Sequence, residues 1–217
     1  MLHVTSQLSS GLPSRGRPRL VDDDAVLDAA LAAFAEAGYE GMSMRSLNRT
    51  LGLSHATVNQ RYGSKESLYD AAIEHGFRGL IADLNAIVGA EDAPNDPLDE
   101  LRVRFRAFLV ASARRPDIGR LMNNEGLHRS RRLDRIFQRF VEPAMRRTTE
   151  LMQRLEEDGR IVPVSERLIF FTLTQGGAMP FTLRGLSTQF DARSGRLDPD
   201  AHAREAADFL VRGLLVH

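Results

Sequence analysis

The side chains in this chain that are best suited to chemistry lie on one face of a short predicted helix, His55–Tyr62. Its polar residues are Thr57, Asn59, Gln60 and Arg61. Val58 and Tyr62, four residues apart, form the opposite, apolar face. Amide side chains pair bidentately with adenine edges in the major groove, a threonine methyl contacts the thymine methyl, and guanidinium groups neutralise phosphates. The polar face is therefore predicted to read double-stranded DNA.

The charge around this helix supports the same chemistry. Between residues 41 and 65 the sequence has four basic residues and no acidic one, in a chain with 29 basic and 29 acidic residues. The basic residues are Arg45, Arg49, Arg61 and Lys65. A local positive field attracts phosphates even when the whole chain is neutral. A cationic helical hairpin on the surface of an unrelated helical protein would give the same pattern, so both readings stay open.

Two short helices and a tight turn must position these groups. Ser43 is predicted to cap a first helix, and Gly52 to end it, with Leu53 making the apolar contact that often follows such a glycine. Ser54 is predicted to cap the second helix, which begins at His55. Ser64 is predicted to cap a further helix, whose free amides would bind a backbone phosphate together with Lys65.

The run from Ala25 to Leu68 resembles the DNA-binding domain of the TetR family. The motifs that carry the resemblance are A-A-L-A-A-F-A-E-A-G-Y-E-G-M-S-M-R and L-G-L-S-H-A-T-V-N-Q-R-Y-G-S-K-E-S-L. Members are bacterial one-component transcription regulators, usually repressors, so the resemblance implies a three-helix domain that binds an operator. The chain departs from the family's pattern at Ser46, Asn48, Ala56, Asn59 and Arg61, so no relative's operator is carried over.

The predicted DNA contacts combine this resemblance with the residue chemistry. They are Arg15, Arg17, Arg19, Ser43, Arg45, Ser54, His55, Thr57, Asn59, Gln60, Arg61, Tyr62 and Lys65. The three N-terminal arginines lie two apart in a polar stretch, residues 1–20, that is predicted to be disordered. This arm either enters the minor groove, as the basic arms of TetR-like proteins do, or is a solvated tail.

The complete chain is predicted to be all-α. Its divisions are a basic arm at 1–20, a helix-turn-helix domain at 21–66 and a helical effector-binding and dimerisation domain at 67–217. The absence of cysteine excludes disulfides and thiolate metal sites, and no apolar run approaches the roughly 20 residues that span a bilayer. We expect a cytoplasmic protein that needs no cofactor and no metal.

The C-terminal part contains the periodicity of several amphipathic helices. They are predicted at 64–89, 98–114, 131–158, 165–184 and 199–216, with a kink at Pro143 and polar loops at 123–130 and 185–198. Gly176 and Gly177 inside one helix predict close approach by a neighbouring helix or a ligand. The resemblance assigns dimerisation to Ser165–Arg184 and Pro199–Val216.

The middle helices are rich in aromatic and methionine side chains suited to an apolar cavity. The predicted ligand contacts are Phe105, Phe108, Leu109, Met122, Phe137, Phe140, Met145, Phe171, Gln175 and Met179. A small, largely apolar or amphipathic effector would release a dimeric repressor from a near-palindromic operator. The alternatives are a helical carrier of small molecules and an enzyme that uses Glu125 and His128 as an acid–base pair, neither of which needs the DNA-reading face.

Overall fold

The computed structural model describes residues 22–54, 56–91 and 94–216, and these residues are arranged as helices joined by short turns. Within them the only β-type pairing is one isolated antiparallel bridge between Ile161 and Leu215. The all-α prediction is confirmed. None of the described helices is both long and apolar enough to cross a membrane. The N-terminal arm, with Arg15, Arg17 and Arg19, and also His55, lie outside the described residues.

Three helices precede the long fourth one. They are α1 (Asp23–Gly41), α2 (Met44–Thr50) and α3 (Thr57–Tyr62). The backbone of α1 leaves helical geometry at Gly38, whose φ is 69°, and one more helical turn follows it. The prediction that α3 begins at His55 with Ser54 as its cap is wrong. Its N-cap is Ala56, and the Ser54 hydroxyl lies 2.7 Å from that of Thr57 instead of accepting an amide bond.

The central helices connect this unit to the rest of the chain. They are α4 (Lys65–Ala90), α5 (Pro97–Arg114), α6 (Pro116–Glu125), α7 (Arg131–Ile136) and α8 (Glu142–Glu157). The residues Phe137–Val141 form a π-helical turn between α7 and α8. This turn is the predicted kink, and it directly precedes Pro143, whose ring lacks an N–H and clashes with the carbonyl four residues earlier.

The C-terminal helices differ most from prediction. They are α9 (Glu166–Phe171), α10 (Met179–Thr182), α11 (Arg184–Ser187), α12 (Asp191–Ser194) and α13 (Pro199–Leu214). The predicted single helix at 165–184 is broken by a π-helical turn, Thr172–Gly177, before Pro180. The predicted loop at 185–198 is partly helical. Leu186 and Phe190 in this segment are 59% and 55% exposed, so the segment lacks the buried apolar face by which a helix is predicted.

The buried apolar side chains form two cores. The first core joins α1–α4 to α6 and α7, and it includes Phe34, Val58, Tyr69, Ile118 and Ile136. The second core joins α5, α8, α9 and α13, and it includes Phe105, Leu109, Leu151, Ile169 and Val211. Because the first core continues past residue 66, the DNA-reading helices pack directly on the helices behind them. The division at residue 66 stays a prediction.

Asp96 connects the start of α5 to the turn that follows α8. Its carboxylate accepts the Leu98 amide at 2.7 Å and pairs with the Arg160 guanidinium at 2.8 and 3.1 Å. The Arg160 guanidinium and the Leu98 amide hold the pKa of Asp96 below its usual range. The stabilisation belongs to the carboxylate, so it is present above about pH 4 and is lost as the pH falls through the lowered pKa.

Gly177 sits where α5 approaches the π-helical turn most closely. A Cβ at Gly177 would lie 2.7 Å from Cδ2 of Leu109, whose side chain is fully buried. The carbonyl of Gly177 also lies 2.8 Å from Nε2 of His202 on α13. The expected close approach at this glycine is therefore made by two neighbouring helices.

We expect Gly177→Ala to lower the free energy of unfolding by about 1–2 kcal/mol, because the added Cβ would force the fully buried Leu109 side chain to shift within the second core. Gly176→Ala is the matched control, since a Cβ there would meet only Cγ2 of Thr172 at an ordinary 3.7 Å. The control should be neutral or stabilising by up to about 1 kcal/mol. Urea unfolding followed by circular dichroism measures both, and equal effects at the two positions would contradict the packing argument.

Candidate nucleic-acid interface

The turn between α2 and α3 is fixed by a regular helix C-cap. Gly52 has a φ of 65° and donates its amide to the Arg49 carbonyl at 3.1 Å, while Leu53 donates to the Asn48 carbonyl at 2.8 Å. These two bonds form a Schellman motif, which the glycine permits because it has no Cβ. At the other end of α2, Ser43 accepts the Ser46 amide at 3.3 Å, so its predicted cap is confirmed.

α3 lies with one face in the first core and the other in solvent. Val58 is fully buried and Tyr62 is partly buried, as the sequence pattern predicts. Asn59 and Gln60 are exposed, and Thr57 is partly exposed beside them. Burial raises the pKa of the Tyr62 hydroxyl, with the Asp23 carboxylate adding to the effect. The two amide side chains are thus presented on the outside of a short helix whose inner face is anchored.

The four basic residues of this region have different surroundings. Arg45 and Arg49 are exposed on α2, where Arg49 donates to the Ser46 hydroxyl at 3.2 Å. Arg61 donates to the Asp23 carboxylate at 3.2 Å, and that carboxylate is on α1. Lys65 donates to the Glu40 carbonyl at 3.1 Å and lies over the Tyr39 ring. Arg61 and Lys65 therefore also hold α3 and α4 against α1 in the protein without DNA.

The start of α4 is capped as the sequence predicts. The Ser64 hydroxyl accepts the Ser67 amide at 3.0 Å, and Ser64 is exposed at the surface. α4 begins three residues after Tyr62, the last residue of α3. Any displacement of α4 along its axis is consequently transmitted to α3 through a very short connection.

A cluster of aromatic and charged side chains joins α1 and α4 to α6 and α7. The Arg132 guanidinium stacks on the Tyr39 ring at 4.0 Å from its centroid and lies 3.5 Å from the Glu125 carboxylate. Tyr69 packs edge-on against Tyr39, and burial together with the Glu125 carboxylate raises the pKa of its hydroxyl. Sequence reasoning missed this cluster because its members are up to 93 positions apart and share no motif.

The Glu125 carboxylate is therefore committed to Arg132. Its side chain is only 8% exposed, whereas His128 is an exposed residue in the turn that follows α6. The enzyme alternative required the Glu125 carboxylate as the partner of His128, and in the structure this carboxylate forms an ion pair with Arg132. The predicted polar loop at 123–130 also begins later than expected, because α6 continues to Glu125.

Arginines of α7 and the adjoining π-helical turn form a ladder of ion pairs with α4. Arg135 lies 3.4 Å from Glu66 and 3.2 Å from Asp70, and Arg139 lies 2.7 Å from Glu74. These are partly exposed pairs, each worth little alone. They make this part of α7 and the π-helical turn a solvated face with local partners.

The ten residues predicted to line an effector cavity are divided between the two cores and the surface. In or against the second core are Phe105, Phe108 and Leu109. Against the first core are Met122, Phe140 and Met145. Met179 is partly buried, Gln175 is exposed, and Phe137 and Phe171 are 50% and 52% exposed. The last two do not line a closed cavity, because Ile136 and Phe170 take the inward positions beside them.

The N-terminal part of the chain, residues 26–72, matches the family model described as bacterial regulatory proteins, tetR family. The chain is 28% identical over 146 residues to the nucleoid occlusion factor SlmA of Vibrio atlanticus (strain LGP32), covering 64% of this chain and 72% of SlmA. It is 38% identical over 61 residues to the HTH-type transcriptional repressor ComR of Escherichia coli (strain K12), covering 28% and 29% of the two chains.

The similarity of fold extends much further along the chain than the family model does. The ketosteroid transcriptional regulator KstR2 of Mycobacterium tuberculosis superimposes with a TM-score of 0.66 at 18% identity, covering 88% of this chain and 94% of KstR2. The helices behind the DNA-reading unit are therefore also arranged as in a solved regulator.

Arg45 and Asn59 should contribute differently to DNA binding. Arg45→Ala should weaken binding to every duplex alike and reduce the slope of log affinity against log salt by about 1, because one phosphate contact is lost. Asn59→Ala should leave that slope unchanged and relax the preference for one base pair by about 1–3 kcal/mol. Anisotropy titrations between 50 and 200 mM salt, on a duplex selected from a random pool and its single-base variants, measure both. A lower salt slope for Asn59→Ala would contradict the assignment of a base-reading role.

Proposed function

We propose that this chain is a dimeric repressor of the TetR family of DNA-binding transcription regulators, and that its α3 reads the major groove of a near-palindromic operator. The observation that carries the proposal is the pair of exposed amides, Asn59 and Gln60, on a helix anchored by the fully buried Val58. Residues 41–65 around that pair contain no acidic side chain that would repel phosphates.

The proposed interface divides into base contacts and phosphate contacts. Asn59, Gln60 and Thr57 have the donors, acceptors and methyl group that distinguish base edges. Arg45 and Arg49 on α2, with the Ser64-capped start of α4, would bind phosphates on either side and fix the register of α3. The Lys65 ammonium has three donors and bonds to the Glu40 carbonyl with one of them, so it would bind a phosphate as well.

Dimerisation is proposed to use the surfaces of α9 and α13. Leu168 and Phe171 on α9 are 58% and 52% exposed, and Phe209 on α13 is 75% exposed. Removal of large apolar side chains from water is the main favourable contribution to most protein association. A twofold dimer would also place two copies of α3 about 34 Å apart, which is the spacing of successive major grooves on one side of a duplex.

A small, largely apolar effector is proposed to bind where α5, α6 and α10 meet. Met122 on α6 and Met179 on α10 are partly buried, and the Asn123 amide approaches the Met179 sulfur at 3.9 Å. Phe108 on α5 packs against the second core. A ligand that separates these helices would push α6 against α1 and α4. Repression would then be relieved by the difference between the ligand's affinities for two dimer states.

Selection from random duplex DNA with the purified protein tests the repressor proposal. We expect recovery of a near-palindrome whose half-sites are one helical turn apart, because a twofold dimer imposes its symmetry on the site. Repeating the selection with Asn59→Ala should change the recovered sequence. Binding that is sequence-blind and disappears with added salt would refute specific regulation. The recovered duplex is also the probe for apolar compounds that displace the protein.

Phe209→Glu should convert the dimer to a monomer, because a charge at the centre of an apolar interface is left without a partner. Leu127→Glu is the matched control, since Leu127 is 73% exposed in the turn after α6, outside the proposed dimer surface. Sedimentation velocity at micromolar concentration measures the oligomeric state. A monomeric control, or a Phe209→Glu variant that remains dimeric, would show that the interface lies elsewhere.

A further inference from the structure

Asn48 is an amide side chain buried inside the helix-turn-helix unit. It has no solvent exposure. Its Nδ2 donates to the Met44 carbonyl at 3.0 Å within α2, and its Oδ1 accepts the Val58 amide of α3 at 3.1 Å. One side chain therefore bonds to the backbones of both helices.

The bond between Asn48 and Val58 supplies a hydrogen-bond acceptor at the start of α3. The first amides of a helix have no partner within the helix, and a side chain at the N-cap usually supplies one. Here the N-cap is Ala56, whose side chain has no acceptor. The Ser54 hydroxyl lies against the hydroxyl of Thr57. Val58 is fully buried, so water has no access to replace a missing acceptor for its amide. Asn48 supplies that acceptor from a different helix.

The same residue also takes part in the turn that separates the two helices. Its backbone carbonyl accepts the Leu53 amide at 2.8 Å in the Schellman motif after α2. Asn48, ten positions before Val58, therefore bonds both to the turn after α2 and to the start of α3. A helix of only six residues has few other backbone bonds to define its rotation about its own axis.

We propose that Asn48 is the positioning residue of the recognition helix. By capping α3 from α2, it sets the rotation at which Asn59 and Gln60 face the DNA, without touching DNA itself. Its amide fits the role because both donor and acceptor are used, one on each helix. The assignment rests on the proposed function of α3 in reading an operator, and it makes specificity, more than affinity for DNA in general, the property that depends on Asn48.

Three variants test this role. Asn48→Leu keeps the number and branching of the side-chain heavy atoms but removes the acceptor, whereas Asn48→Asp keeps an acceptor, with a charge that a helix N-terminus favours. Thr182→Val is the matched control, because it removes a buried hydroxyl that bonds to the Ala178 carbonyl far from DNA. Affinity is measured for the duplex recovered from the random pool and for a scrambled duplex of equal length.

For Asn48→Leu we expect at least a 10-fold loss of affinity for the recovered duplex and less than a 2-fold change for the scrambled one. Asn48→Asp should lose less discrimination than Asn48→Leu, and Thr182→Val should keep the wild-type ratio. Equal losses on both duplexes, equal losses for Leu and Asp, or an unchanged ratio for Asn48→Leu would overturn the role.

Amide hydrogen exchange in the DNA-free protein separates this inference from the proposed function. In Asn48→Leu the Val58 amide should exchange at least 10-fold faster, while amides in the middle of α4 keep their rates. If wild-type protein selects no sequence, the repressor proposal fails, and the exchange rate of Val58 still decides whether Asn48 caps α3. An unchanged rate would refute the cap.

Discussion

The burial of Val58 in the first core is the interaction on which the DNA-reading surface depends. α3 has only six residues, too few to persist as an isolated helix, so its stability must come from packing. Val58 has no exposed surface, and its amide is satisfied by Asn48. With the inner face fixed in this way, the side-chain amides of Asn59 and Gln60 are held on the outside of α3, where they are exposed to solvent.

The same core gives the regulator a route by which its two ends can influence each other. The first core continues from α1–α4 into α6 and α7, so these helices move together or repack together. At its edge Tyr39 lies against both Lys65 and Arg132, one at the start of α4 and the other on α7. The ion pairs between α4 and α7 add a salt-sensitive component. A shift of α7 or α6 would thereby bias the position of α4, and α4 carries α3 at its N-terminus.

Two π-helical turns interrupt the described helices behind the three-helix unit. Phe137–Val141 lies between α7 and α8, close to Pro143, and Thr172–Gly177 lies between α9 and α10 and includes the close contact of Gly177 with Leu109. Such turns are frequent at functional sites. Both lie outside the three-helix unit, in the part of the molecule where an effector is proposed to act.

The sequence by itself determined the elements with local signals. Caps at Ser43 and Ser64, the glycine turn at Gly52 and the apolar spacing of Val58 are decided by residues within a few positions of one another, so the three-helix unit and its polar face were predictable. Tertiary structure alone decided the rest. It gave the cap of α3 to Asn48 instead of Ser54, committed Glu125 to Arg132, and turned Phe137 and Phe171 outward. Each of these outcomes depends on contacts between side chains that are far apart in the sequence. The spacing of residues along the chain does not determine which of these contacts form.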